Sequence, residues 1–322
     1  MLVPVLLFLF GFVLLIKGGD WFVDGAVGVA HRFHLPELLI GATVVSIGTT
    51  LPEVMVSSQA AILGNGGISY GNAIGSVICN TALIAALTVA VRPTSLDRDT
   101  LRLPVAAFFT AALLYAGFAY TVGRFFRWNG LLFLAMFVCY LILSVKQMML
   151  HPEEVPEEEG DGAAERPFWQ ELVMLVVGAA AIAWGANLLV NNGTLIAAAL
   201  GVPDSVIGLT MVALGTSLPE LVTAVTALVK GRSALSLGNI IGANLFNIIL
   251  VSGTAITIRP FAIPAEKMLA GRNASLLVDI PVMFAVMALL CLPSLAEGRL
   301  RRWQGILLLG IYVAFTVFQF LL

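Results

Sequence analysis

Two glutamates, Glu53 and Glu220, stand 167 residues apart in nearly identical surroundings, GATVVSIGTTLPE at 41–53 and GLTMVALGTSLPE at 208–220. Thr49 and Thr50 precede Glu53 by four and three residues, a spacing that puts both hydroxyls on or near the carboxylate's own face of a helix. Thr216 and Ser217 stand in the same relation to Glu220. Pro52 and Pro219 have no N–H, so the carbonyl four residues earlier loses its helical partner. A break or kink is predicted at each proline, and the freed carbonyls become oxygen ligands, as in the discontinuous helices of transporters. Carboxylates, hydroxyls and carbonyls make an all-oxygen, hard set. Such a set suits Ca²⁺, which takes six to eight oxygens at about 2.3–2.6 Å, far better than zinc or copper.

The register between the copies continues without a gap, so GNAIGSVICN at 71–80 falls on GNIIGANLFN at 238–247, and Pro36 falls on Pro203. This second motif adds neutral amide oxygens: Asn72 and Asn239, then Asn80 and Asn247 about two helical turns further on, on the same side. Ser76 precedes Asn80 by one turn, but its counterpart is Ala243, so the two halves are not equivalent as ligand sets. Each hydroxyl has a plainer reading as a bond back to its own helix, and the Gly71/Gly75 and Gly238/Gly242 pairs have one as close-packing devices. The glutamates have no such reading, because a charged group at the bilayer centre costs about 2.5–3.5 kcal/mol even on insertion scales.

The elements that hold these residues follow from composition. The chain has 322 residues, of which 59% are hydrophobic and 11% charged, with a mean hydropathy of +0.99, which excludes an ordinary water-soluble domain. Apolar runs of transmembrane length fall at approximately 3–30, 36–63, 69–91, 103–121, 128–149, 169–199, 204–229, 235–258, 274–294 and 302–321. The expected fold is an all-α integral membrane protein of ten helices. Two repeats of five are expected, 1–150 and 169–322, and an odd number per repeat turns the second upside down in the bilayer. Helices two, three, seven and eight would surround an ion site near the midplane.

Arg32, Arg92, Arg98, Arg102, Lys146, Arg166, Lys230, Arg232, Arg299, Arg301 and Arg302 fall in loops on one side, against Arg124, Arg127, Arg259, Lys267 and Arg272 on the other. The richer side is expected to be cytoplasmic, with both termini outside. The run EEVPEEEGDGAAE at 153–165 reads as a solvated cytoplasmic linker, within 151–168, and lacks the spacing of an EF-hand loop. No basic region or cleavage site marks the first apolar run, which is expected to be a retained helix. Cys79, Cys139 and Cys291 lack metal-type spacing and are expected as buried thiols. His31 and His34 have no third ligand nearby and are expected as loop histidines. Asp20, Asp24 and Asp279 are expected to make interfacial or helix–helix contacts. No cofactor, no activated nucleophile and no nucleic-acid partner are expected; the lipid bilayer is the environment, and a monomer suffices.

At the paired motifs the chain resembles the cation/Ca²⁺ antiporter superfamily, specifically the prokaryotic sodium/calcium exchangers, over nearly its whole length. The resemblance implies a four-site midplane cluster in which one Ca²⁺ lies between Glu53 and Glu220, with Na⁺ around it. It implies further ligands from Thr49, Thr50, Thr216 and Ser217, backbone carbonyls of Ser46 and Ala213, and side chains of Ser76, Asn80 and Asn247. It also implies that helices one and six slide across the remainder, and that Ca²⁺ leaves the cell against an inward Na⁺ gradient. Several relatives carry Asp where this chain has Asn80 or Asn247, so the core holds at most two negative charges. A Ca²⁺/H⁺ antiporter of the same fold is the nearest alternative, although 73–76 and 240–243 hold no acid. A Ca²⁺-permeable channel is the alternative from another class.

Overall fold

The structure is a computed structural model that describes residues 2–150, 167–200, 215, 217–265, 268–269 and 272–321. Among these, ten helices follow in chain order: α1 Leu2–Arg32, α2 Glu37–Ile62, α3 Gly66–Val91, α4 Arg98–Val122, α5 Arg127–Leu150, α6 Phe168–Ala199, α7 Leu218–Val229, α8 Ser233–Ile258, α9 Ser275–Glu297 and α10 Arg302–Leu321. Eight are long and apolar enough to cross a membrane. The expected spans are thus found to within a few residues, except that the first part of the seventh, with Ala213 and Thr216, lies outside the described residues, as does the acidic run at 153–165.

The helices start and stop where local chemistry directs. Asn65 caps α3 by accepting from the Ile68 amide, and Asp97 caps α4 by accepting from the Thr100 amide. The α2–α3 and α7–α8 turns are built alike: Gly64 and Gly231 take φ of 83° and 76°, a left-handed conformation that glycine adopts without steric cost. The next amides, Asn65 and Arg232, return to the Ala60 and Ala227 carbonyls.

α1 and α6 pack along each other through four glycines that the duplication places in register, Gly11 with Gly178 and Gly18 with Gly185. A Cβ on Gly11 would lie 2.9 Å from the Gly185 carbonyl, and one on Gly18 would lie 3.0 Å from the Gly178 carbonyl. Small residues let two backbones approach in lipid, where apolar burial supplies no drive between helices. The same kind of approach seats α2 on α8, since a Cβ on Gly41 would lie 2.4 Å from the Leu235 carbonyl and one on Gly238 would meet Leu38 at 2.1 Å. Gly242 packs on Ala42 and Ser46. Among the described residues nothing lies within 4 Å of a Cβ on Gly71 or Gly75. The register gives their counterpart partners as residues near 205–213, which are not described.

Contacts are exchanged between the copies. A Cβ on Gly64 would meet the Arg259 guanidinium at 2.6 Å, and one on Gly231 would meet that of Arg92 at 3.6 Å; Arg92 and Arg259 are themselves counterparts. Thr94–Ser95 (β1) pairs antiparallel with Arg299–Leu300 (β4), and the bridge Arg124↔Ala262 repeats this at the counterpart corner. A second ribbon, Met268–Leu269 (β2) with Arg272–Asn273 (β3), precedes α9.

Two expectations are corrected. The helix does not break at Pro52: the stretch Ser46–Ile62 of α2 runs through it. The irregularity falls earlier, as a π turn at Gly41–Val45, where the Ser46 hydroxyl donates to the Gly41 carbonyl at 2.7 Å. Only in the second copy does the proline mark an end, with Pro219 in the first turn of α7, where its missing N–H removes no helical bond. Cys139 is exposed on α5, whereas Cys79 and Cys291 are buried as expected. A helix with lipid on one side hides a thiol only when it faces inward, and Cys139 faces outward.

The acids outside the duplicated motifs make polar contacts between elements. Lys230 Nζ donates to Asp24 Oδ1 at 2.6 Å and lies 3.5 Å from Asp20 Oδ1, joining the α7–α8 turn to α1. Arg32 pairs with Glu171 at 3.0 Å and Arg232 with Glu37 at 2.9 Å, while His31 lies 3.7 Å from Glu37. Gln319 donates to Asp279 at 2.6 Å. At the positions matching Asp20 and Asp24, Asn187 and Asn191 bond to each other at 3.0 Å.

Candidate functional site

Glu53 and Glu220 are both 0% exposed, and none of their four carboxylate oxygens has a hydrogen-bond partner among the described residues. A buried carboxylate left unpaired costs several kcal/mol. Two of them, one per copy, are carried on helices that pack against each other, α2 and α7.

The carboxylates sit on differently built segments. Glu53 lies inside α2, directly after a proline that leaves the Gly48 carbonyl without its usual donor. Glu220 lies in the first turn of α7, where backbone N–H groups and the helix dipole favour negative charge. Ser217 caps that helix without a side-chain bond to it, and its buried Oγ has no hydrogen-bond partner by geometry among the described residues.

The amides come from two further π turns. Asn80 opens the turn Asn80–Ala85 in α3, and Asn247 opens Asn247–Val251 in α8. Both side chains are 0% exposed, and neither the oxygen nor the nitrogen of either amide has a partner among the described residues. The Asn80 turn packs on α7, which carries Glu220, and the Asn247 turn packs on α2, which carries Glu53. Each copy therefore sets its amide turn against the other copy's carboxylate helix. π turns inside α-helices recur at functional sites because the extra residue displaces side chain and carbonyl from the regular ladder.

The hydroxyls divide into two kinds. Thr50 is buried, and like that of Ser217 its hydroxyl has no partner among the described residues. Thr49 donates to Asn239 Oδ1 at 3.2 Å and stands beside the Glu220 carboxylate. Ser46 reaches the Gly41 and Asn239 carbonyls at 2.7 and 2.9 Å, so its hydroxyl ties the first π turn to α8. Ser76 is buried. Asn72 is a brace: its Nδ2 donates to the Glu53 carbonyl at 3.2 Å and to Ser57 Oγ at 2.8 Å. The Asn239 Nδ2 is unpartnered.

Two residues escaped the motif reading. Thr223 is 0% exposed, its Oγ1 has no partner among the described residues, and its spacing of three from Glu220 is a signal that the sequence carries. Asn244, three before Asn247, donates to Thr81 Oγ1 at 2.7 Å and keeps its Oδ1 unpartnered, binding α8 to the Asn80 turn. Cys79 lies at the margin, accepting from the Tyr312 hydroxyl at 3.7 Å.

Comparison with known proteins agrees with this architecture. The family model described as "Sodium/calcium exchanger protein" matches residues 3–146 and again 171–321. The chain is 37% identical to the putative antiporter CaxA of Alkalimonas amylolytica, over 100% of this chain and 99% of that protein. It is 32% identical to the sodium/calcium exchanger MaX1 of Methanosarcina acetivorans, over 99% of each. It is also 32% identical to the inner membrane protein YrbG of Escherichia coli, over 97% of this chain and 95% of that one. The solved structure of the sodium-calcium exchanger NCX_Mj superimposes with a TM-score of 0.82 at 32% identity, over 97% of both chains. The chain is a multi-pass integral membrane protein that belongs to the sodium/calcium exchanger family, a family of transporters rather than enzymes.

Proposed function

We propose that the chain is a secondary active antiporter that exchanges Ca²⁺ for Na⁺ across the cell membrane, expelling Ca²⁺ electrogenically by alternating access. The observation that carries this reading is the pair of fully buried carboxylates, one per copy, which have no hydrogen-bond partner among the described residues and are set among amide and hydroxyl groups equally without one there. Ca²⁺ is shared between Glu53 and Glu220. Thr49, Thr50, Thr216, Ser217, Ser76, Asn80 and Asn247 supply neutral oxygens, with the Ser46 and Ala213 carbonyls, and Na⁺ uses the same set. Two carboxylates are neutralised by one Ca²⁺ or two Na⁺, and a third Na⁺ travels as net charge. Exchange follows because the empty site leaves two like charges that resist passage through a low-dielectric barrier. Either ion relieves them, so one ion must replace the other. The printed descriptions of MaX1 and NCX_Mj as sodium/calcium exchangers support this choice of ions.

Alternating access rests on two inverted repeats, 1–150 and 169–322, joined by the acidic segment 151–168. The reciprocal contacts Gly11–Gly185 with Gly18–Gly178, and Gly64–Arg259 with Gly231–Arg92, support it, since a contact and its swapped counterpart arise together when a twofold axis relates the halves. Such an axis in the membrane plane places the site at the repeat interface near the midplane. The glycine-lined pair α1 and α6 slides across the other eight helices. The loop positive charges place the linker in the cytoplasm and both termini outside, and a monomer is sufficient.

Equilibrium binding of radiolabelled Ca²⁺ to the purified protein tests the reading. One Ca²⁺ should bind per chain and be displaced by Na⁺ but not by choline, and Glu53→Gln and Glu220→Gln should each weaken it by roughly a hundredfold or more. Binding indifferent to Na⁺ would overturn the shared site.

A further inference from the structure

At the corner where the α3–α4 connection meets the α9–α10 connection there is a cavity of about 520 Å³, lined by Pro93, Thr94, Ser95 and the run Arg299–Arg302. Its floor is the β1–β4 pair, in which Thr94 opposes Leu300 and Ser95 opposes Arg299. Three arginines therefore line one cavity. The carboxylate bonded to them is Glu297, whose Oε2 accepts from Arg301 at 2.6 Å and Arg299 at 3.4 Å. Arg302 gives one N–H to the Val91 carbonyl at 3.3 Å, capping the end of α3. Each guanidinium carries five donors, so the three arginines carry more positive charge and more donors than their partners among the described residues engage.

The counterpart corner shows a different use of the same architecture. There the bridge is Arg124↔Ala262, the Arg124 guanidinium lies 5.0 Å from the Phe126 ring, and Arg127 donates to the Thr257 and Ile258 carbonyls. Arg127 and Arg302 are equivalent caps, because Ile258 is the counterpart of Val91. Counted from the left-handed glycines that end α4 and α9, Gly123 and Gly298, Phe126 stands where the other corner has Arg301, and the cavity lies at the corner with the extra arginine.

The position fixes what kind of anion would reach it. Trp303, 53% exposed, follows Arg302 directly at the start of α10, and indole rings exposed at the ends of membrane helices sit at headgroup level. The corner belongs to the side richer in Lys and Arg, which faces the anionic cytoplasmic leaflet. Arginine presents paired donors that match phosphate oxygens, and Thr94 and Ser95 line the same cavity.

We propose that this cavity binds the phosphate of an anionic lipid headgroup, with Arg299 and Arg301 as its principal donors. The lipid would clamp the α3–α4 and α9–α10 connections together at the bilayer surface. The clamp bears on the site through α10, which packs against the Asn80 turn and carries the Tyr312 that bonds Cys79.

The test is thermal unfolding of the full chain in neutral detergent micelles, titrated with phosphatidylglycerol, with phosphatidylcholine, and with soluble glycerol 3-phosphate. Phosphatidylglycerol should raise the unfolding temperature saturably, and phosphatidylcholine should not. The R299Q/R301Q variant should need at least tenfold more phosphatidylglycerol for the same shift, while R124Q at the opposite corner should titrate like the wild type. An equal response of R299Q/R301Q and wild type would overturn the proposal. A shift by glycerol 3-phosphate as large and as tight as that by the lipid would overturn the lipid in favour of a soluble phosphate. Should R299Q/R301Q fail to fold, R301Q alone, with the floor pair and the Arg302 cap left intact, gives the same reading by native mass spectrometry of retained lipid.

Discussion

Replacing Glu53 by Gln conserves the shape of a side chain that is 0% exposed and has no hydrogen-bond partner for either oxygen among the described residues. Its effects on binding and on the cation-free protein should therefore have opposite signs. With Ca²⁺ bound, the substitution removes one of two charges facing the cation, and losing one partner of a buried ion pair costs about 3–5 kcal/mol. At about 1.4 kcal/mol per tenfold, the Ca²⁺ dissociation constant should rise by roughly two to three and a half orders of magnitude. Without cations, the same change replaces a buried carboxylate by a neutral amide of the same shape, and because that amide is itself left without partners among the described residues the net relief is no more than about 1 kcal/mol. The variant should thus unfold at a higher temperature than the wild type in choline buffer, and at a lower one in saturating Ca²⁺. Unfolding followed by intrinsic fluorescence gives the crossover, and radiolabelled Ca²⁺ binding gives the affinity. A variant that binds Ca²⁺ within threefold of the wild type, or that is less stable in choline, would refute the reasoning.

Gly238→Ala puts a Cβ 2.1 Å from the Leu38 carbonyl, a backbone atom that cannot turn aside, and should cost about 1–3 kcal/mol or more through overpacking, read as a lowered unfolding temperature. Gly117→Ala, on the exposed face of α4 with nothing described within 4 Å, should be neutral or stabilising by up to about 1 kcal/mol. Tyr140→Phe removes the hydroxyl that donates to the Ala42 carbonyl at 2.9 Å within the first π turn, and should cost about 1 kcal/mol by the same assay. A double-mutant cycle of Lys230→Gln with Asp24→Asn should give a coupling no larger than about 1 kcal/mol, because the pair is partly exposed to water.

The duplication was legible because a carboxylate in an apolar run is rare enough to be its own marker, and a register of 167 residues without gaps repeats it. Helix positions were legible because hydrocarbon thickness fixes span length. The course of the backbone at the site was not. Pro52 predicts a break, yet α2 runs through it, and the irregular turns start instead at Gly41, Asn80 and Asn247. A π turn needs only one extra residue accommodated by packing, and composition carries no signature of it. The crossings of α1 with α6 and of α2 with α8 depend on which glycines face one another, which spacing along one helix cannot reveal. Asp20 and Asp24 could be read as polar contacts, but their partner Lys230 is remote in sequence and has Leu63 as its counterpart, so the duplication offered no hint of it.

The most direct test of the exchange claim is radiolabelled Ca²⁺ uptake into proteoliposomes preloaded with Na⁺, K⁺ or choline, each with and without an imposed pH gradient. Uptake should require internal Na⁺, should be accelerated by a membrane potential of the sign that draws the surplus Na⁺ charge outward, and should vanish in Glu53→Gln and Glu220→Gln. Uptake driven by internal acid without Na⁺, or uptake indifferent to every internal cation, would contradict it.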